Sequence, residues 1–153
     1  MIQENLKIRG DVHVAKRNTI TGYTEEFDIK NLVVDAGIEF MLFSMIDAAR
    51  PSGMIGMALG SGSTAANDAD TALETELGRA TITTSTVSSA TNSIEFQTTF
   101  APGVGTGAVT EAGILNSDTT GGTMLCRTVF PVINKLAADE VIISWVITLA
   151  IAV

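Results

Sequence analysis

The last segment of the chain alternates between large apolar residues and small or polar ones. Every odd position from 141 to 151 is large and apolar: Val141, Ile143, Trp145, Ile147, Leu149 and Ile151. The positions between them include Ser144, Thr148, Ala150 and Ala152. A period of two residues places these two sets of side chains on opposite faces of a strand. The segment is therefore predicted to be a β-strand, and its pattern is the clearest in the sequence.

Similar alternation recurs along the chain, between turn signals spaced roughly every 8–14 residues. Near the N-terminus the apolar set is Leu6, Ile8, Val12 and Val14, with Gly10 among them. About eight strands are predicted in all, and residues 80–88 count as one of them. Pro131 is expected to end the strand that starts at Met124. We predict a mainly β chain, an antiparallel β-sandwich of the jelly-roll type, forming a single domain over residues 1–153. A parallel α/β fold would need more helices between its strands.

Two helices are expected beside the strands. Asp35 is a suitable N-cap for a mid-length helix of roughly ten residues, because the apolar residues that follow have helical spacing. A short helix is predicted after Thr71, whose hydroxyl would form a capping box with the Glu74 carboxylate. Gly78 would end this short helix in a left-handed turn. Its apolar face would consist of Leu73 and Leu77.

The charge composition argues against a nucleic-acid partner. The chain has nine Lys and Arg residues and seventeen Asp and Glu residues, giving a net charge of −8. Binding to phosphates requires clustered basic side chains, and the adjacent pair Lys16 and Arg17 is the only cluster. The thirteen uncharged residues from 141 to 153 fall short of the ~20 that a membrane helix needs. We therefore predict a soluble protein with neither a nucleic-acid nor a membrane partner.

Few residues are candidates for catalysis. His13 is the only histidine and lies on the polar face of the first strand, while Cys126 is the only cysteine and lies in an apolar strand. A lone cysteine in such a strand is typical of a small buried hydrophobe, so a Cys–His nucleophile pair is not expected. Residues 60–64 (GSGST) follow a strand, but no lysine follows the glycines. A structural turn is therefore favoured over a phosphate loop.

Carboxylates are dense around residues 67–76. Asn67, Asp68 and Asp70 resemble a fragment of a calcium loop, but the central glycine of an EF-hand is missing, and helix capping explains the pattern more simply. Glu111 is predicted to be a buried strand charge at a β-bulge or sheet edge, paired with Arg79 or Arg127. No catalytic, cofactor-binding or metal-binding residue is predicted.

Five segments, in order, resemble a family of small virion proteins of tailed bacteriophages. They are residues 30–37 (KNLVVDAG), 58–79 (ALGSG through TALETELGR), 110–116 (TEAGILN), 125–130 (LCRTVF) and 143–149 (ISWVITL). The series covers most of the chain. The family includes head decoration (cement) proteins and also tail, fibre and baseplate subunits. The resemblance implies a virion structural protein with no catalytic residues and no cofactor.

The function expected from this resemblance is capsid decoration. Such a protein is made in the host cytoplasm and binds the outer surface of the head. Its partners would be the major capsid protein, at threefold or quasi-threefold positions, and its own copies in a homotrimer. The predicted interface is an N-terminal arm that could add a strand to a neighbouring sheet, together with the strand that follows it. The arm consists of Met1, Ile2, Gln3, Glu4 and Asn5.

Two other functions remain open at the level of sequence. The first is a tail, fibre or baseplate subunit, which the same resemblance allows. The second is a small carbohydrate-active β-sandwich enzyme, which would need a pair of carboxylates in a cleft. The sequence supplies carboxylates, but its one Trp and one Tyr offer little aromatic surface for sugar subsites.

Overall fold

A computed structural model describes residues 5–152, which form nine strands, one α-helix and one 3₁₀ turn. The elements in chain order are β1 (Asn5–Asn18), β2 (Thr24–Val33), α1 (Asp35–Phe43), the 3₁₀ turn (Asp47–Ala49), β3 (Gly56–Gly60), β4 (Glu76–Thr81), β5 (Thr84–Ser88), β6 (Ser93–Phe100), β7 (Gly107–Leu115), β8 (Met124–Lys135) and β9 (Asp139–Ala152). All described strand pairs are antiparallel. The prediction of a mainly β, antiparallel chain with one mid-length helix is therefore confirmed.

The nine strands form one curled sheet in the order β4-β3-β7-β8-β2-β1-β9-β6-β5. The two edge strands, β4 and β5, are consecutive in the chain and only residues 82 and 83 separate them. The Ile82 N–H donates to the Ile55 carbonyl and the Thr83 N–H donates to the Gln97 carbonyl, each at 2.8 Å. This link therefore joins the two ends of the sheet. The curled sheet is compatible with the predicted sandwich, and its bend divides the expected strand at residues 80–88 into two.

The alternating segment at the end of the chain is β9, and its odd positions form the centre of the core. Val141, Ile143, Trp145 and Ile147 are all buried. Trp145 pairs with Val12 of β1 on one side and with Phe96 of β6 on the other. Burial of each such side chain stabilises the fold by about 1.5–3 kcal/mol. The periodicity therefore identified both the strand and its buried face.

A second, smaller core lies on the other face of β7. Side chains alternate along a strand, so Ala112 and Ile114 contact the main core while Leu115 points away from it. Leu115 packs with Val34, Ala58 and Met124, and Ala36 and Leu73 pack against this group. Ala36 belongs to helix α1, and Leu73 belongs to residues 61–75, here called the covering loop. They thereby cover the outer face of this half of the sheet.

Helix α1 begins one residue earlier than the cap prediction required. Val34 occupies the N-cap position with extended backbone and no side-chain cap, and Asp35 is the first helical residue. The Asp35 N–H instead donates to the Asp68 carbonyl of the covering loop at 2.8 Å. Gly37 allows close contact with β8, because a Cβ there would lie 2.1 Å from the Leu125 carbonyl oxygen.

The predicted short helix after Thr71 does not form. Residues 71–75 are irregular, and the chain enters β4 at Glu76. The Glu74 carboxylate does not cap a helix; it accepts hydrogen bonds from the Thr64 N–H and hydroxyl, both at 2.9 Å. The helix prediction was wrong because these contacts across the loop replace the local capping box. Leu73 and Leu77 still pack against the two cores, as expected.

The expectation that Pro131 ends its strand is also wrong, because β8 continues to Lys135. Val109 pairs with Ile133 and Glu111 pairs with Val129, so β8 contains two more residues than β7 across this irregularity. A proline cannot donate a hydrogen bond to the ladder, but a bulge removes the need for that donor.

Candidate functional site

Glu111 is the most buried charged residue in the described structure, and it holds the covering loop in place. Its Oε1 accepts the N–H groups of Gly62 at 2.9 Å and Thr75 at 2.8 Å. Its Oε2 accepts the Glu74 N–H at 3.1 Å and the Arg127 Nε–H at 2.9 Å. A carboxylate has about four lone-pair sites, and here four donors occupy them. Glu111 thus fixes both ends of the loop, and all four of its acceptor sites are occupied by donors of the chain itself.

Arg127 is the ion-pair partner of Glu111, which decides between the two arginines that the sequence allowed. Its Nη1 donates to Asp70 Oδ2 at 2.7 Å and its Nη2 donates to the Thr64 carbonyl at 3.1 Å. Burial alone would lower the pKa of Arg127, but the hydrogen bonds that it donates to the Asp70 and Glu111 carboxylates outweigh burial and raise it. Arg79 pairs with Glu76 instead. The predicted buried ion pair is confirmed, and it lies beside a register irregularity on an interior strand.

The acidic segment of the covering loop is bonded within the chain. Burial by itself would raise the pKa of the Asp70 carboxyl, but hydrogen bonds from the Asn67 N–H and from Arg127 lower it below its usual value. Hydrogen bonds from Thr64 hold the pKa of Glu74 below its usual value. Within residues 5–152 no group of three or more His, Cys, Asp or Glu side chains is placed to hold a metal ion. The cation beside this segment is Arg127.

The turn at residues 60–64 directs its donors at the chain's own carboxylates. The Gly62 N–H bonds Glu111 and the Thr64 N–H bonds Glu74. A phosphate loop needs free N–H groups, whereas these donors are occupied. The geometry agrees with the predicted structural turn.

The lone histidine and the lone cysteine lie in different surroundings. His13 is exposed on β1, with its Nδ1 2.9 Å from Asp28 Oδ1 on the neighbouring strand. Cys126 is buried in the main core, where burial raises the pKa of its thiol. A buried thiol in apolar surroundings is inert as a nucleophile. The structure does not bring these two residues together as a reactive pair.

The open apolar surface of the molecule was not predicted from the sequence. It lies at one end of the sheet, here called the helix end. The helix end consists of α1, residues 44–55, the β5–β6 turn, the start of β1 and the end of β9. The exposed large apolar residues there are Leu6, Ile38, Leu42, Phe43, Met45, Ile46, Ile55, Val87, Leu149 and Ile151. Those elsewhere in the described chain are Ile20, Tyr23, Val132 and Leu136. Most of the exposed apolar surface is therefore concentrated at one end.

An apolar groove of about 730 Å³ opens at the helix end. Phe40 and Met41 of α1 form one wall, and the β5–β6 hairpin forms another. Ile147, Leu149, Leu125 and Met54 also line the groove, together with Gly53, Asn92 and serines of the hairpin. The groove has the size and apolar character of a ligand or peptide site, and none of the described residues that line it is charged.

The predicted N-terminal interface is only partly covered by the structure. Met1, Ile2, Gln3 and Glu4 lie outside the described residues. Asn5 is exposed and begins β1, where it pairs with Ala152. The strand after the arm belongs to the chain's own sheet, because β1 lies between β2 and β9. Residues 10–17 of β1 are paired on both sides and therefore cannot add to a neighbouring sheet.

No protein-family model, curated protein or solved structure matched the chain. Among residues 5–152, no helix has the length and apolar character needed to cross a membrane. What bears on the function is consequently the sequence resemblance and the geometry of the covering loop and the helix end.

Proposed function

We propose that this chain is a non-enzymatic structural subunit of a tailed-phage virion, and specifically a capsid decoration protein. The observation that carries the proposal is the open apolar surface at the helix end. Monomeric proteins rarely leave apolar patches larger than a few hundred Å² exposed, and larger patches mark interaction sites. The five segments that resemble small virion proteins supply the biological setting.

The arrangement of charges supports a structural role over catalysis. Glu111, Arg127 and Asp70 bond to one another or to backbone groups of the covering loop. A glycosidase needs two carboxyl groups that face a substrate, and Glu111 is sealed beneath the loop. The less favoured enzyme hypothesis would therefore have to rely on other carboxylates.

A decoration protein stabilises the head because it binds only the assembled shell. Its partners on this proposal are the major capsid protein and further copies of itself in a homotrimer. Binding to one state alone stabilises that state by about 2.7 kcal/mol per site when the free protein is at 100 times its Kd. Several simultaneous contacts around a symmetry axis strengthen attachment further.

Gold-labelled antibody against the chain, applied to purified virions, tests the location. Decoration predicts label over the outer head surface, and particles that lack the protein should release DNA at a lower temperature. Label at the tail tip or baseplate would instead support the alternative of a tail, fibre or baseplate subunit. Absence of the protein from purified virions would contradict both structural roles.

A further inference from the structure

The apolar face of the two longest strands continues past the body of the protein. Along β9 the exposed fraction rises from 0% at Trp145 to 2% at Ile147, 37% at Leu149 and 65% at Ile151. Leu6, which pairs with Ile151 on β1, is also 65% exposed. Among residues 5–152, a face that is buried in the core therefore extends without cover at the helix end.

These strand ends form a two-stranded ribbon. Among the described strands, residues 5–9 of β1 pair only with β9, because β2 leaves β1 after Asn31 and pairs with β8. Likewise β6 pairs with β9 only as far as Thr148. A short ribbon with open edges and an apolar face is marginal in water unless it packs against something else.

Helix α1 and the residues after it expose a second apolar area on the other side of the groove. Leu42, Phe43, Met45 and Ile46 are each at least half exposed. Phe40 and Met41 from the same helix line the groove, as does Leu149 from the ribbon. The groove thus joins the ribbon and the helix into one region.

The apolar area at the helix end is large enough for a stable protein–protein contact. The exposed fractions of its ten large apolar residues amount to between five and six fully exposed side chains, or about 550 Å² if each presents roughly 100 Å² of apolar surface. A standard interface buries about 800 Å² per partner, of which about 56–65% is apolar. One partner of ordinary size would cover this end.

The distribution of charge at the helix end suits a partner that is itself acidic. The chain has a net charge of −8, so two copies repel each other over most of their surfaces. The charged residues of the helix end are three acidic and three basic ones, namely Asp35, Glu39, Asp47, Lys7, Arg9 and Arg50, and residues 141–152 contain no charged side chain. Contact through this end brings few like charges together.

From these observations we infer that the helix end is a self-association surface, on which a second copy of this chain covers the groove and the ribbon. The inference rests on the proposed function in one respect, namely that the chain works as one of several copies in an assembly. It assigns self-contact to this end and leaves the other surfaces for the shell.

Light scattering of purified protein across a dilution series tests the inference. The unmodified 16.0 kDa chain should form one discrete oligomer that dissociates on dilution. The double variant Leu42→Glu with Ile151→Glu should raise the dissociation constant by about tenfold or more, because both side chains lose apolar contact. The matched control, Ile20→Glu with Leu136→Glu, changes exposed residues outside the helix end and should leave association unchanged.

The dilution series of the unmodified chain needs no variant, so misfolding of a variant cannot hide the answer. Circular dichroism of each variant checks that it is folded. A chain that stays monomeric at ~100 μM, or a control that dissociates as readily as the helix-end variant, would overturn the inference. A monomer that still binds purified capsid shells would remove self-contact but leave the proposed function standing. If the chain forms the oligomer but is absent from virions, the self-association inference stands and the proposed function is contradicted.

Discussion

The covering loop and the helix end differ in how each is matched to its surroundings. The covering loop has irregular backbone, yet the buried Glu111 carboxylate takes up three of its N–H groups. The helix end contains regular helix and regular strand, but much of its apolar surface faces solvent. Regular secondary structure is thus a poor guide to which region is internally complete. The loop's N–H groups are bonded within the chain, whereas the exposed apolar side chains of the helix end have no cover among the described residues.

The largest effect should come from removing the charge that holds the covering loop. Glu111→Gln leaves Arg127 without its buried partner and places an amide donor among N–H groups. We expect the free energy of unfolding to fall by about 3–5 kcal/mol. Urea denaturation measures the change. Glu26→Gln, at an exposed position on β2, is the control and should stay within about 0.5 kcal/mol of the wild type. Similar losses for the two variants would show that the loop is not fastened in this way.

The contact between α1 and the sheet should be the next most sensitive. A Cβ at Gly37 would lie 2.1 Å from the Leu125 carbonyl oxygen, so Gly37→Ala must push the helix away from β8. The free energy of unfolding should fall by about 1–3 kcal/mol. Relative to the unmodified chain, hydrogen exchange should speed up more in α1 than in β7. Gly53→Ala is the control, because nothing lies within 4 Å of a Cβ built there. Unchanged exchange in α1 of the Gly37 variant would contradict the close packing.

The sequence predicted those parts of the molecule that depend on local pattern. The alternation around Trp145 identified the buried face of β9, and the apolar spacing after Asp35 identified α1. Glu111 could be assigned to a buried ion pair because an isolated strand charge needs a partner, but the choice of Arg127 required the three-dimensional register.

The errors arose where distant contacts outweighed local signals. Thr71 and Glu74 form a good capping pattern, but the Glu74 N–H bonds to Glu111, 37 positions away in the chain. Pro131 is a strong local stop signal, but a bulge accommodates it. The apolar spacing of α1 is the same whether its residues face a core or solvent. The sequence therefore could not reveal that Leu42 is open.

Acid should weaken the covering loop and leave the helix end unaffected. The pKa of Asp70 is lower in the folded protein than its usual value, so its contribution to stability is present above about pH 4 and is lost as pH falls through the folded pKa. At pH 7, Asp70→Asn should cost on the order of 1 kcal/mol. The difference from the wild type should begin to shrink as the pH falls below about 4 and should continue to shrink as the pH falls through the folded pKa. Urea denaturation at pH 7 and at a series of lower pH values measures it, and a constant difference would argue against the Arg127 contact.

The smallest effect on folding should come from the helix end itself. Leu42→Glu replaces an exposed side chain, so the free energy of unfolding should change by no more than about 0.5 kcal/mol when measured at a concentration where the chain is monomeric. A loss above about 2 kcal/mol would assign Leu42 to the core and remove the contrast between the two regions.

Hydrogen exchange of the protein, free at a concentration where it is monomeric and bound in purified virions, tests the central claim most directly. If the helix end is the contact surface of a virion subunit, amides in residues 38–46 and 149–152 should exchange more slowly in the particle. Those of the covering loop should keep the same rates. Protection confined to the covering loop, or equal exchange of the helix end in the two samples, would contradict the account.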